Sequence, residues 1–239
     1  MKVAVIQARM GSQRLPGKVL RPLGGRPVLS WVLRAATRST CEQIIVATTW
    51  RPEDDEVADL ANQFGMGVRA FQGDTDDVLS RFLAATSQLS PSDVVVRLTA
   101  DNPLVDPALI DAAALALERA GADLCRIHGV PLGVGAGAVR LGALRRSDAH
   151  ASGFHRAHVT SYIKARPEDY EHVEITLEPD ASDLRVTLDT PEDARLLDAL
   201  VQEFGDTVIP WRDLVSLLRT RPDLVALNAE VSQRPLAEG

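Results

Sequence analysis

The chain has 239 residues, of which 45% are hydrophobic and 25% are charged, as in an ordinary globular protein. Its formal net charge is −7 and 4% of its residues are aromatic, which argues against a nucleic-acid partner because such partners need a basic face and stacking platforms. The apolar run "VAVI" near the start is too short for a signal peptide or a membrane span, so we expect a cytoplasmic protein without a membrane partner.

In the first half of the chain, short β-branched runs alternate with amphipathic segments. Strands are predicted at 2–8, 43–49, 68–73 and 93–101. Helices are predicted at 26–39, 52–65, 75–89 and 106–121. This alternation predicts an α/β fold, in which helices cover both faces of a mixed, mostly parallel sheet in a three-layer αβα sandwich.

The alternation weakens after about residue 125. Further strands are predicted at 123–129, 172–178 and 184–190, with an antiparallel element among the last two. Further helices are predicted at 141–150, 154–166, 191–205 and 211–222. The glycine-rich stretch 129–142 fits either a loop or a strained hairpin. No internal repeat or Pro/Ser-rich linker interrupts the chain, so we predict a single domain over residues 1–239.

The loop after the first strand, "QARMGSQRLPGKVL", has the composition of a phosphate-binding loop but not the best-known spacing. A Walker loop reads G-x-x-x-x-G-K-[ST]. Here five residues separate Gly11 from Gly17, and Val19 stands where the hydroxyl residue should follow Lys18. The dinucleotide fingerprint G-x-G-x-x-G is also absent. A metal ion, if one is used, must therefore be held elsewhere in the chain.

The same loop still offers donors for a polyphosphate. Gly11 and Ser12 can present backbone N–H groups in a tight turn. Arg14 can hold phosphate oxygens through two donors at once, and Lys18 supplies a point charge, with Arg9 as a third cation. The alternative is a solvated basic surface turn.

Two aspartates follow predicted strands and are candidate metal ligands. In an open α/β sheet, ligands bind outside the carboxyl ends of the strands. Asp101 ends the strand 93–101 and is either a ligand of Mg²⁺ or a turn residue. Asp189 ends the strand 184–190 just before Thr190, the predicted cap of the next helix, and so has no structural task of its own. Asp106 fits better as a helix cap.

Two further groups have a structural and a functional interpretation. Asp74, Thr75 and Asp76 form a D-x-D string like the metal motif of many glycosyltransferases, but we favour a cap by Asp74 or Thr75 on the following helix. Arg156 and His158 lie on a predicted helix and either face solvent or contact an acceptor substrate. Neither H-E-x-x-H nor G-x-S-x-G occurs in the chain.

Taken together, five segments resemble the sugar cytidylyltransferases, which include the CMP-ketodeoxyoctonate and CMP-acylneuraminate synthetases. The segments are "IQARMGSQRLPGKVL", "GDTDDVLSRF", "RLTADNPLVDPALID", "HVTSYI" and "RVTLDTPEDARLL". Their order and the length of the first segment make the resemblance specific. The nearest branch is that of the SpsF-type proteins of spore-coat polysaccharide biosynthesis.

The resemblance implies a nucleotide-diphospho-sugar transferase-like fold, a homodimer and a Mg²⁺-dependent transfer of CMP from CTP to an acceptor, with release of pyrophosphate. It implies that Asp101 and Asp189 bind Mg²⁺ and act in catalysis with Arg14 and Lys18. Of the two interpretations of Arg156 and His158, we predict that they contact the acceptor. The nucleotide-binding residues that the resemblance implies are Ala8, Arg9, Gly11, Ser12, Arg14, Lys18 and Arg81.

The chain departs from the SpsF-type pattern at three positions in its acceptor half. That pattern reads G-L-D-V-E-V-F where this chain has "GVGAGAV", so Gly135 and Gly137 replace two acids. It reads R-E-H-V-T where this chain has "RAHVT", so Ala157 replaces a third. The loss of three acids favours an anionic acceptor, such as a carboxylate sugar or a phosphonate. The alternatives are a catalytically silent nucleotide-binding paralogue and a nucleotidyltransferase with another NTP or a sugar-1-phosphate acceptor.

Overall fold

The structure is a computed structural model, and it describes residues 1–233. The strands of this range are β1 (Lys2–Gln7), β2 (Pro22–Leu23), β3 (Arg26–Pro27), β4 (Gln43–Thr49), β5 (Val68–Gly73), β6 (Val94–Thr99), β7 (Leu124–His128), β8 (Gly137–Arg140) and β9 (His172–Thr176). The predicted single domain runs to residue 239, and its last six positions, 234–239, lie outside the described residues.

Helices connect these strands. They are α1 (Val28–Ala36), α2 (Asp55–Gln63), α3 (Val78–Ala85), α4 (Pro107–Ala120), α5 (Leu141–Asp148), α6 (Phe154–Ala157), α7 (Ser161–Lys164), α8 (Pro191–Phe204), α9 (Trp211–Thr220) and α10 (Pro222–Val225). A 3₁₀ turn at Pro52–Asp54 precedes α2. No helix among residues 1–233 is long and apolar enough to cross a membrane.

Seven strands form one mixed sheet in the order β5-β4-β1-β6-β8-β7-β9. All neighbouring pairs are parallel except those of β8, which runs antiparallel to both β6 and β7. Helices flank the sheet, so the predicted α/β fold with a mostly parallel sheet is confirmed. The central strand β6 is buried on both faces, because Val94 and Val96 pack into one core cluster while Val95 packs into another.

The antiparallel element lies at a different place from the one predicted. The strand predicted at 172–178 forms β9, which is parallel to β7. The antiparallel strand is β8, inside the glycine-rich stretch that fitted either a loop or a hairpin. It pairs with β7 across the eight-residue loop 129–136 and with β6, which lies far back in the chain, so no tight two-residue turn marks either pairing.

The strand predicted at 184–190 is wrong, because this segment joins no sheet. It makes one isolated bridge, between Leu132 and Arg185. The amide of Leu188 donates to the carbonyl of Asp101 at 2.8 Å, which places the segment beside the end of β6. Alternating burial of leucine and valine side chains against α8 and α9 produced the strand-like pattern, and burial alone does not require a strand partner.

The helix predicted at 154–166 is interrupted. It forms two one-turn helices, α6 and α7, separated at Val159. Val159 is fully buried and has a φ of 38°, a left-handed conformation that is strained for a β-branched residue. The break turns Ala157 and His158 towards the cleft described below.

Gly133 lies close to the backbone of Val186 and Thr187, and this contact generates a testable prediction. Gly133 has a φ of 113°, and a Cβ atom there would lie 2.7 Å from the backbone nitrogen of Thr187. We expect Gly133→Ala to lower the free energy of unfolding by roughly 2 kcal/mol or more, since backbone must move to admit the methyl group. Gly137→Ala is the control, because its Cβ would make an ordinary 3.6 Å contact with the Cys125 carbonyl. Urea unfolding of both variants measures the difference, and equal stabilities would contradict the prediction.

Candidate active site

A cleft of about 640 Å³ opens at the carboxyl ends of β1 and β6. Eight of the residues predicted to form the site line it: Arg9, Gly11, Ser12, Arg14, Lys18, Asp101, His158 and Asp189. The position of the cleft is the one expected for ligands of a parallel sheet. The predicted residues Ala8, Arg81 and Arg156 do not line it.

The opening loop folds back on itself and is anchored from outside. The amides of Ser12 and Gly17 both donate to the carbonyl of Met10, at 2.8 and 3.0 Å, and Gly17 has a φ of 71° that favours glycine. The amide of Met10 donates to the carboxylate of Asp54 at 2.6 Å. Asp54 is buried just before α2, and the sequence offered no signal for this role because acids are common at helix starts.

Lys18 joins the two candidate metal ligands. Its Nζ lies 2.6 Å from Asp101 Oδ2 and 2.8 Å from Asp189 Oδ1. Burial opposes the charge of Lys18, but the two carboxylates outweigh it and raise the pKa of the ammonium above its usual range. Lys18 is therefore cationic at neutral pH and holds the two aspartates at one point of the cleft.

Asp189 is the most heavily bonded of these carboxylates. Besides Lys18, Arg14 lies 2.9 Å from its Oδ2, and Arg185 donates to the same oxygen at 2.9 Å. Burial would raise the pKa of Asp189, but Lys18, Arg14 and Arg185 lower it below its usual value. Asp189 therefore stays ionised. Although the segment 184–190 joins no sheet, it still lies beside the end of β6, because the Leu188 amide donates to the Asp101 carbonyl.

Arg185 and Asp193 form a buried support behind Asp189 that the sequence pattern did not indicate. Arg185 donates to both oxygens of Asp193 at 2.9 Å, and the Asp193 carboxylate also accepts from the amides of Asp189 and Thr190. Asn228 donates to it as well, at 2.9 Å. The prediction of Thr190 as helix cap is confirmed, and Asp193 is its partner in a capping box. Because an acid in the first turn of a helix already has a role there, the sequence pattern offered no reason to expect the contact of Asp193 with Arg185.

Asp101 and Asp189 suit a magnesium ion. Among residues 1–233, no group of three or more His, Cys, Asp or Glu side chains could hold a metal ion. Mg²⁺ typically takes one or two carboxylates and completes its shell with water and substrate phosphates. Two hard carboxylates that converge on one cation, here the Lys18 ammonium, fit that requirement.

Arg9 and Arg81 both hold the turn that precedes α3. Arg9 lines the cleft and donates to the carbonyl of Thr75 at 3.1 Å. Arg81 is buried and donates to the carbonyl of Asp74 at 2.6 Å. Burial lowers the pKa of Arg81 to about 10. Arg81 thus supports the backbone that Arg9 contacts.

The predicted cap of α3 at Asp74 or Thr75 is wrong, because Asp77 caps this helix. The Asp77 carboxylate accepts from the amide of Ser80 at 2.9 Å. Asp74 instead accepts from the amides of Asp76 and Asp77 and closes the turn before the helix. The cap therefore lies two positions after Thr75 and three positions after Asp74, the two residues that the pattern favoured.

Of the two predicted acceptor contacts, Arg156 is occupied elsewhere. Its guanidinium donates to Asp77 at 2.5 Å and to Asp148 at 2.9 Å, and the bond to Asp77 raises the pKa of Arg156. Arg156 therefore links α3 to α5 outside the cleft. His158 lines the cleft, and so does Ala157, the position at which the SpsF-type pattern has an acid.

The fold is that of a nucleotidyltransferase. A cytidylyltransferase from Leptospira borgpetersenii superposes with a TM-score of 0.88 and 28% identity, over 98% of this chain and 99% of that one. A CMP:2-keto-3-deoxy-manno-octonic acid synthetase, solved in complex with CTP, shares the fold with a TM-score of 0.64 at 18% identity, over 85% of this chain and 99% of that one.

The family assignment rests on the sequence as well. Residues 3–210 match the model of the cytidylyltransferase family. The spore coat polysaccharide biosynthesis protein SpsF of Bacillus subtilis is 36% identical over 231 residues, which cover 92% of this chain and 94% of that protein. The chain belongs to the cytidylyltransferase family. The resemblance seen in the sequence and the prediction of an enzyme of this class are confirmed.

The support behind Asp189 generates a prediction on stability. We expect Asp193→Ala to lower the free energy of unfolding by about 3 kcal/mol, because it leaves the largely buried Arg185 without its main partner. Asp198→Ala on the same helix is the control: Asp198 pairs with Arg21 near the surface, and its loss should cost less than about 1 kcal/mol. Urea unfolding measures both values, and a similar loss in the two variants would contradict this role.

The lowered pKa values of Asp189 and Asp193 predict how the stability of the protein depends on pH. Burial raises the pKa of Asp193, but the hydrogen bonds from Arg185 and Asn228 lower it by more. The folded-state pKa of Asp193 therefore lies below the usual value. Stability from Asp189 and Asp193 is therefore present above the unfolded-state pKa of about 3.9, and is lost as the pH falls through the folded-state values. We expect the free energy of unfolding to fall below about pH 4, and to fall less steeply in Asp193→Asn.

Urea unfolding at a series of pH values between neutral and acidic conditions measures this dependence. Identical slopes in the wild type and in Asp193→Asn would show that this carboxylate does not supply the linked proton.

Proposed function

We propose that the protein transfers CMP from CTP to a small anionic acceptor and releases pyrophosphate, with Mg²⁺ as the metal. The observation that carries the proposal is the convergence of Lys18, Arg14, Asp101 and Asp189 in one cleft. Cations beside two carboxylates provide for both a triphosphate and its metal ion. The CTP bound to the octonic acid synthetase of the same fold supports the choice of nucleotide.

Each residue has a role that follows from its place. Asp101 and Asp189 would hold Mg²⁺, which when bound neutralises phosphate charge. Lys18 and Arg14, which contact these carboxylates, can reach phosphate oxygens and stabilise the charge of the leaving pyrophosphate. Gly11 and Ser12 of the loop line the same cleft, and the Ser12 amide is used in the loop itself, where it donates to the Met10 carbonyl. The chain then acts mainly by positioning the acceptor oxygen against the α-phosphorus and by neutralising charge.

Substitution of Lys18 tests the proposed phosphate site. We expect Lys18→Met to lower kcat/KM by about 100-fold or more and to weaken binding of CTP, since it removes a buried cation from the cleft. Lys2→Met is the matched control, because the Lys2 ammonium donates to Thr40 at the surface and Lys2 does not line the cleft. Pyrophosphate release with a panel of acidic sugars and phosphonates measures activity, and isothermal titration with CTP measures binding with and without Mg²⁺.

The wild type and Asp101→Ala complete the experiment. Mg²⁺-dependent binding of CTP by the wild type, lost in Asp101→Ala, supports the proposal. Absence of Mg²⁺-dependent CTP binding in the wild type would overturn it. Binding of CTP with no pyrophosphate release for any acceptor would instead favour a catalytically silent protein.

A further inference from the structure

A cationic cluster lies beside the cleft, on three adjacent strands of the sheet. Arg97 on β6 pairs with Gly137 on β8. On the other side of β8, Cys125 pairs with Ala138 in an antiparallel register, which puts Arg126 next to Gly137. Residues opposite each other on neighbouring strands point to the same face of a sheet. Two arginines therefore flank a position that has no side chain.

These arginines have unused hydrogen-bonding capacity. Within residues 1–233, the Arg97 side chain makes one hydrogen bond, from Nη2 to Gln7 Oε1 at 3.1 Å. Arg126 bonds to Glu174 on β9. The Nε atoms of Arg97 and Arg126 are both buried and have no partner in the described part of the chain. A buried charged donor without a partner costs free energy, and an anion in this place would offset that cost.

Lys164 on α7 adds a third positive charge. Its side chain keeps contact with solvent, yet the surrounding protein atoms, Arg97 and Arg126 together lower the pKa of Lys164 to about 8. Two acids act on the cluster: Glu174 is bound to Arg126, and the charge of Asp101 acts on Arg97. The cluster thus has three cations. Its two acids do not balance them, because Glu174 is a single charge and Asp101 is shared with Lys18, so the cluster is positive.

A small cavity of about 100 Å³ lies where β6 and β8 diverge, lined by Arg97, Asn102, Gly135 and Gly137 among others. The backbone does not require glycine at the last position, because a Cβ on Gly137 would make an ordinary 3.6 Å contact. A Cβ on Gly135 would need a shift of a few tenths of an ångström at the Val130 side chain. The absence of side chains at these two glycines thus leaves space beside Arg97, which lines the cavity.

We propose that this cavity is an anion subsite that holds the carboxylate or phosphonate group of the acceptor. The proposal rests on the proposed function and names the chain's own residues that select the substrate class. Arg97 lines both the cavity and the main cleft, so an anion held there leaves the rest of a small acceptor in the main cleft. Arg97 donates to the anion, and Arg126 and Lys164, which do not line the cavity, contribute positive charge from nearby.

Three matched probes test the subsite in the absence of nucleotide: 2-hydroxyethylphosphonate, 3-hydroxypropionate and the neutral 1,3-propanediol. We expect titration by NMR to show saturable binding of at least one anion, with an affinity at least about tenfold higher than for the diol. Arg97→Gln should weaken anion binding by about tenfold or more. Anion binding no stronger than diol binding, or unchanged in Arg97→Gln, would overturn the proposal.

A variant that supplies its own anion provides an independent measurement. Gly137→Glu places a carboxylate between Arg97 and Arg126, and Gly137→Gln places a neutral group of the same length there. We expect Gly137→Glu to melt at a higher temperature than Gly137→Gln and to bind the anionic probes at least about tenfold more weakly than Gly137→Gln does. Equal melting temperatures together with equal anion binding would contradict the proposal.

Titration of the same samples with CTP and Mg²⁺ separates this proposal from the function on which it rests. We expect Gly137→Glu and Gly137→Gln, which change a position that does not line the main cleft, to bind CTP as the wild type does. Retained CTP binding without an anion preference would overturn the subsite alone. A saturable, Arg97-dependent anion site in a protein that does not bind CTP would support the subsite and overturn the proposed function.

Discussion

The candidate site depends on one interaction, the contact of the Lys18 ammonium with two carboxylates. Asp101 is 83 residues from Lys18 and Asp189 is 171 residues away, so this contact joins three separate parts of the chain. The ammonium stabilises the charge of each carboxylate and is stabilised by both, because an ammonium or a carboxylate left alone in a partly buried place would lose hydration without compensation. The opening loop, the end of β6 and the start of α8 are thereby held around one cleft.

The rest of the site serves to keep these charges in place. Asp54 holds the opening loop through the amide of Met10, and the buried pair of Arg185 and Asp193 holds Asp189. These supports are carboxylates and a guanidinium that do not themselves have to reach a substrate. The proposed function would need such preorganised charge, since reorganisation during the reaction would cost free energy.

Whether an element could be predicted depends on how far apart in the sequence the residues that form it lie. The parallel strands and the helices of the first half were predictable because their patterns are local: a buried run for a strand, a cap and an apolar face for a helix. Thr190 and Asp106 were predictable as caps for the same reason. The strand predicted at 184–190 was wrong because alternating burial arises against helices as well as in a sheet. The break at Val159 has no local signal, since a buried valine disfavours that conformation.

The sequence by itself determined the class of fold, the family and eight of the residues that line the cleft, because a loop rich in cations and an aspartate after a strand are local features whose place in an α/β sheet follows from topology. Only the tertiary structure decided which charges meet. It showed that Lys18 bridges Asp101 and Asp189, that Arg156 is occupied by Asp77 and Asp148, and that Gly137 separates two arginines. Such pairings depend on strand order and register, which bring distant residues together and leave no trace in sequence spacing.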